Sequence, residues 1–80
     1  MKLMTKYYEY VGKAIHDRRN ELKLSQQAVA DKIGITRGAY SQYETGKNAI
    51  SMEIWFRIAE ALDLNPNDIP LKALKYTNEK

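Results

Sequence analysis

Hydrophobic residues recur along this chain at the three- and four-residue spacing of α-helices. A first helix, of roughly four turns over about 8–23, is predicted by the apolar positions Tyr8, Val11, Ile15 and Leu22. Residues 1–7 show no clear period, so they are expected to fray, with an arm along a phosphate track as the less favoured alternative.

Two shorter helices are predicted next, joined by a tight bend. Ser25 and Thr36 each offer a hydroxyl that can cap the free N–H groups of a following helix. Gly34 and Gly46 can adopt the left-handed conformation that closes a helix. The pattern therefore predicts one helix from Ser25 to Gly34 and another over 37–45. The connection of about three or four residues is typical of a helix-turn-helix unit.

The remaining helices complete an all-α fold, a compact bundle of about five short helices. Ser51 is a third cap, and the apolar face of the helix behind it is formed by Ile54, Trp55, Ile58, Ala59, Ala61 and Leu62. Helical spacing favours core positions for Trp55, Tyr40 and Tyr43 over a stacking platform for single strands. A short fifth helix is predicted from Asn65 and Pro66, and Pro70 is expected to interrupt it.

The helix over 37–45 has an apolar and a polar side. Ala39, Tyr40 and Tyr43 can face a common core, and the outward positions are Arg37, Gly38, Ser41, Gln42 and Thr45. Arg and Gln are the side chains that bond guanine and adenine edges bidentately in the major groove. This polar side is therefore a candidate surface for reading DNA.

Composition narrows the classes of function. Eighty residues are expected to form a single domain, 1–80, with its core at about 8–69 and a C-terminal extension at 70–80. There is no cysteine and one histidine, so no metal site, cofactor or catalytic constellation is expected, and an enzyme is the least favoured class. No apolar run of about 18 residues or signal peptide is found, which makes a cytoplasmic protein without a membrane span the expectation.

The net charge of +3 is concentrated in the central part of the chain. From Lys13 to Lys47 there are seven basic residues against four acidic ones, and from Asn48 to Lys80 there are four against five. The positive part coincides with the predicted helix-turn-helix unit, as phosphate binding requires.

The central stretch resembles the helix-turn-helix of the phage-repressor and Cro (Xre) family. The matching residues are Leu24, Ser25, Gln26, Ala30, Gly34, Ile35, Thr36, Ser41, Tyr43, Glu44 and Gly46, with Ala59, Leu62 and Leu64 beyond them. The similarity covers about residues 11–69. It implies a lambda-repressor-like domain that binds double-stranded DNA and regulates transcription, most often as a repressor.

The resemblance also implies roles for individual residues. Arg19 falls on the inner face of the first helix, where a charge needs a partner, and the family pattern implies that Glu44 forms an ion pair with it. The expected base contacts are Arg37, Gln42, Gly38 and Ser41. The expected phosphate contacts are Gln26, Thr36, Thr45, Lys47, Asn48 and Arg19. Arg18 and Lys23 are either a solvated face or further phosphate contacts.

Relatives of this kind pair about a two-fold axis and read half-sites roughly 34 Å apart, so a homodimer on a two-fold symmetric operator is expected. Its interface is predicted from apolar residues with no assigned role within the chain, namely Phe56, Leu64, Ile69, Leu71 and Leu74. The alternative is a protein-interaction module, such as the antitoxin of a toxin–antitoxin pair. A protein partner is also a possible means of relieving DNA binding.

Overall fold

Four α-helices form the described part of the chain. In this computed structural model the backbone is described for residues 2–66 and the side chains for residues 7–66. The helices are α1 (Lys2–Glu21), α2 (Gln26–Ile33), α3 (Arg37–Thr45) and α4 (Met52–Ala61). No strand occurs in these residues, and the all-α class is confirmed. The prediction of about five helices is not matched in this part of the chain: Pro66, the predicted first residue of the fifth helix, lies in a turn, and the rest of that predicted helix lies outside the described residues.

The bounds of α1 differ from the prediction at both ends. The helix begins at Lys2, so the expectation that residues 1–7 fray or form an arm is wrong for 2–7. Lys, Leu and Met are good helix formers, and Tyr7 packs against the core, which anchors this first part of the helix. At the other end Lys23 adopts a left-handed φ of 59°, which turns the chain out of the helix. Leu22, predicted on the inner face, is therefore 36% exposed.

The predicted caps of α2, α3 and α4 are confirmed. The hydroxyls of Ser25, Thr36 and Ser51 accept hydrogen bonds from the third backbone N–H beyond each of them, at 3.0, 3.1 and 3.2 Å. Gly34 and Gly46 close α2 and α3 with φ of 77° and 78°. These caps bound a three-residue turn between α2 and α3, and the turn sets the angle between the two helices.

One core joins the four helices. The buried apolar residues are Val11, Ile15, Val29, Ala30, Ile33, Tyr40, Trp55, Ile58, Ala59 and Leu62. α3 packs on both α1 and α2, and α2 also packs on α4. Trp55 is a core residue as predicted, and its indole Nε1 donates to the carbonyl of Pro66 at 2.7 Å. None of the described helices is long and apolar enough to cross a bilayer.

α1 and α3 cross at Gly12, where the two backbones nearly touch. A Cβ at this position would lie 2.4 Å from the carbonyl oxygen of Glu44 and 2.5 Å from that of Tyr43. Both distances are well inside van der Waals contact, so only a residue without a side chain fits the crossing. Gly12 thus sets how deeply α3 sits against the domain.

Arg18, for which the sequence left both a solvated face and a phosphate contact open, makes structural hydrogen bonds. Its Nε donates to the carbonyl of Leu62 at 3.0 Å and its Nη2 to that of Asp63 at 3.3 Å. Carbonyls at the end of a helix have no partner within the helix, and a cation stabilises them. Arg18 therefore ties α1 to the C-terminal end of α4, and the solvated-face interpretation does not hold.

Candidate nucleic-acid interface

α3 presents one exposed polar face, as its sequence pattern predicts. Arg37, Gly38, Gln42 and Thr45 are exposed and Ser41 is half-buried, whereas Tyr40 and Glu44 are buried on the opposite side. These five polar-face residues lie at positions 37, 38, 41, 42 and 45, a spacing that places them along one side of a helix. The structure therefore brings the predicted base-contact residues together on a single surface.

The buried side of α3 is held by the Arg19–Glu44 ion pair. Arg19 Nε donates to Glu44 Oε2 at 2.6 Å and Nη2 donates to Oε1 at 3.2 Å. The two side chains are 11% and 3% exposed, so the pair is largely screened from water. Arg19 Nη1 also donates to the carbonyl of Leu24 at 2.7 Å. The ion pair that the resemblance implied is thus present, and it joins α1, α3 and the loop before α2.

Gln26 connects this ion pair to the exposed surface. Its Nε2 donates to Glu44 Oε1 at 2.9 Å, and its Oε1 accepts from Arg37 Nη1 at 3.3 Å. Gln26 is half-buried rather than free on the surface, and both ends of its amide are bonded within the protein. These bonds were not predicted from the sequence, because Gln26 and Glu44 are 18 residues apart and meet only when α2 and α3 pack together. The phosphate contact expected of Gln26 stays a prediction.

The surroundings of Glu44 favour its ionised form. Burial alone raises the pKa of the carboxyl, but the hydrogen bonds from Arg19 and Gln26 and the positive charge of Arg19 outweigh burial and lower it. The Tyr40 hydroxyl also lowers the pKa of this carboxyl and so favours its charge. That hydroxyl nevertheless has no hydrogen bond of ordinary geometry among the described residues. Burial, followed by the Glu44 carboxylate, raises the pKa of Tyr40.

The lowered pKa of Glu44 predicts a pH dependence of stability. The carboxylate stabilises the folded chain fully above its ordinary pKa of 4.5, and this stabilisation is lost as pH falls through the lowered value. We expect the free energy of unfolding in urea to decrease as pH falls below the ordinary pKa of 4.5 and through the lowered one. The double variant Arg19→Met/Glu44→Leu, which lacks the ionisable pair, should show a smaller decrease. Equal slopes in the two proteins would contradict this assignment.

The loop after α3 folds back onto Gln42. The Lys47 and Asn48 backbone N–H groups donate to the carbonyl of Gln42 at 3.0 and 3.4 Å, and Thr45 Oγ1 donates to the same carbonyl at 3.1 Å. The Asn48 side chain donates to Gln42 Oε1. Thr45 and Asn48, expected as phosphate contacts, thus both make bonds within the protein, while Lys47 is exposed. Their contact with phosphate stays a prediction.

The predicted subunit interface is only partly described. Phe56 is 50% exposed, in agreement with its predicted position outside the core, and Met52 beside it is 72% exposed. Both line a groove of about 300 Å³ between α1 and α4. Leu64, in contrast, is half-buried and packs against the core, so it does have a role within the chain. Ile69, Leu71 and Leu74 lie outside the described residues.

Comparison with known proteins identifies the family. The helix-turn-helix family model matches residues 15–69. The chain is 43% identical over 47 residues to YqaE of Bacillus subtilis, an HTH-type transcriptional regulator, covering 59% of this chain and 40% of YqaE. It is 29% identical over 59 residues to the CTXphi transcriptional repressor RstR of Vibrio cholerae, covering 74% of this chain and 53% of RstR. The matched segment thus spans about half or less of these curated relatives.

A solved structure agrees with this comparison. The restriction-modification controller protein C.AhdI of Aeromonas hydrophila superposes with a TM-score of 0.75 at 26% identity, covering 78% of this chain and 94% of that one. The capped turn between α2 and α3, the polar face of α3 and the match over residues 15–69 agree with one another. The chain belongs to the Xre-type helix-turn-helix family of DNA-binding transcriptional regulators.

Proposed function

We propose that this chain is a sequence-specific regulator of transcription, acting as a repressor, with α3 in the major groove of double-stranded DNA. The observation that carries the proposal is the exposed polar face of α3, on which Arg37 and Gln42 project from a helix fixed by buried contacts. In helix-turn-helix proteins the second helix of the motif lies in the major groove and the first crosses the backbone. The likeness to RstR, a phage repressor by name, supports repression over activation.

In this arrangement Arg37 and Gln42 contact base edges, with Gly38 and Ser41 beside them. Arg37 can donate two hydrogen bonds to O6 and N7 of guanine, the commonest specific contact in the major groove. Phosphate contacts are assigned to Gln26, Thr36, Thr45, Lys47, Asn48 and Arg19. Arg19 and Gln26 have this role only in addition to the bonds that hold Glu44.

A homodimer follows from the amount of DNA that one domain can contact. A single module contacts few base pairs, and two-fold related copies read half-sites about one helical turn apart. Phe56 supplies exposed apolar surface for such an interface, and Ile69, Leu71 and Leu74 are proposed to extend it. Leu64 contributes less than expected because it packs against its own core.

Substitutions on α3 test the proposal. We expect Arg37→Ala and Gln42→Ala each to weaken binding to an operator selected from random duplexes by about 1–3 kcal/mol per half-site. Fluorescence anisotropy at fixed salt measures the affinity, and the stoichiometry should be two chains per duplex. Lys13→Ala is the matched control, because it removes one exposed charge from α1 and leaves α3 unchanged.

Two outcomes would count against DNA reading. One is a loss of affinity in Lys13→Ala equal to that in Arg37→Ala, since only non-specific attraction would then be involved. The other is unchanged binding in both α3 variants together with a second protein that co-purifies through residues 71–76. That result would favour the protein-interaction module, with an antitoxin as its model.

A further inference from the structure

Asn48 and Gln42 form a side-chain pair at the edge of the polar face of α3. Asn48 Nδ2 donates to Gln42 Oε1 at 2.5 Å, and the Asn48 backbone N–H donates to the Gln42 carbonyl at 3.4 Å. Asn48 therefore meets Gln42 with both its main chain and its side chain. Both side chains are exposed, so neither is held in place by the core.

The direction of this bond has a physical cause. Gln42 lies in the last turn of α3, where carbonyl oxygens without helical partners make the local potential negative. The Gln42 carbonyl accepts from the Gly46 N–H and, in addition, from Thr45 Oγ1 and the Lys47 N–H, so several donors gather at this end of α3. The same negative potential favours the orientation in which the Asn48 side chain points its NH₂ group, rather than its oxygen, toward the helix. Gln42 Oε1 is then the acceptor, and Nε2 has no bond to any described residue.

We propose that Asn48 determines specificity by fixing which end of the Gln42 amide faces the DNA. The proposal rests on the proposed function and deepens it. With Oε1 held by Asn48, Gln42 presents Nε2, a donor, to the major groove. A donor favours a base edge rich in acceptors, which is N7 and O6 of guanine, over the donor N4 of cytosine. The bidentate contact of Gln with adenine needs both Nε2 and Oε1 to face the groove. Because Asn48 occupies Oε1, the bond between Asn48 and Gln42 favours guanine over adenine.

The Asn48→Asp variant reverses this preference if the proposal is correct. The new side chain has the same shape but only accepts hydrogen bonds, so Nε2 of Gln42 turns toward it and Oε1 turns toward the groove. The base pair that Gln42 reads is first located as the position where Gln42→Ala loses its preference. At that position, we expect a guanine preference in the wild type and an adenine or cytosine preference in Asn48→Asp. The affinity ratio should change by roughly 5- to 140-fold.

Affinity ratios separate this role from a phosphate contact. The negative charge of the Asn48→Asp variant weakens binding to all four base pairs alike, and so does Lys47→Ala, the neighbouring control. Asn48→Ala should reduce the preference without reversing it. Circular dichroism of each variant checks that the helices are kept, which is expected because Asn48 lies outside them.

The outcomes distinguish the two proposals. A wild-type chain that discriminates at the Gln42 position, together with unchanged ratios in Asn48→Asp and Asn48→Ala, would overturn the role of Asn48 and leave DNA reading intact. The role of Asn48 would also be overturned if the base preference depended on Gln42 at no position of the operator. A wild-type chain that binds no duplex would overturn both.

Discussion

Gly12→Ala is expected to lower the free energy of unfolding by more than about 3 kcal/mol, a large part of the stability of a domain of this size. The added methyl group would lie 2.4 Å from the Glu44 carbonyl oxygen and 2.7 Å from its carbonyl carbon. These are backbone atoms in the last turn of α3, which packs against α1, so the overlap is relieved only when α1 and α3 move apart. Urea unfolding followed by circular dichroism and by Trp55 fluorescence measures the loss.

Gly38→Ala is the matched control for this prediction. Gly38 is also a helical glycine, but nothing lies within 4 Å of the position that its Cβ would occupy. Alanine at an exposed helix position is favoured over glycine, so this variant should gain about 0.5–1 kcal/mol. If both substitutions changed stability by the same amount, close packing at the crossing of α1 and α3 would not be the cause.

Glu44→Ala is expected to destabilise the fold by about 3–5 kcal/mol near pH 7, because it leaves the buried charge of Arg19 without its partner. Gln26 also loses the acceptor of its 2.9 Å hydrogen bond. The effect should therefore reach the surface of α3, since Gln26 is bonded to Arg37. Urea unfolding gives the change in stability, and the selected operator reports the change at the surface.

Two further variants isolate the cause. Glu53→Ala breaks the Glu53–Arg57 pair, which has a similar distance of 2.7 Å but exposed side chains, and should lower stability by less than about 1 kcal/mol. Arg19→Met/Glu44→Leu replaces the buried pair by apolar groups and should recover most of the stability that Glu44→Ala loses. A double variant as unstable as Glu44→Ala would show that the unpaired charge is not responsible.

The local elements of the fold could be predicted from the sequence. Ser25, Thr36 and Ser51 marked the starts of α2, α3 and α4, because a cap acts on backbone groups only three residues away. The predicted start of α1 was wrong by six residues, because the sequence offers no capping residue there. The contact of Tyr7 with the core, which stabilises this part of the helix, is visible only in the folded structure. Leu22 was wrongly predicted on the inner face because the chain leaves the helix at Lys23, whose left-handed conformation is not indicated by a glycine in the sequence.

The candidate site was predicted in its faces but not in its contacts. Periodicity alone separates the exposed Arg37 and Gln42 from the buried Tyr40, and the family pattern supplied the Arg19–Glu44 pair. Bonds that depend on how helices meet were missed. Arg18 reaches carbonyls 44 and 45 residues away. Such contacts leave no periodic signal, because each needs the relative placement of two elements.

The bond from Gln26 to Arg37 has a consequence for the energetics of binding. A long side chain that becomes ordered only in a complex loses rotamer freedom, which opposes association by about 0.5–1.5 kcal/mol. Arg37 is already restrained at 3.3 Å from Gln26 in the free chain, so part of that entropy is lost during folding instead. On the proposed function, the guanidinium is preorganised before it meets a base. Affinity is then coupled to the rigidity of the domain, and warming that loosens the interior weakens recognition before the helices melt.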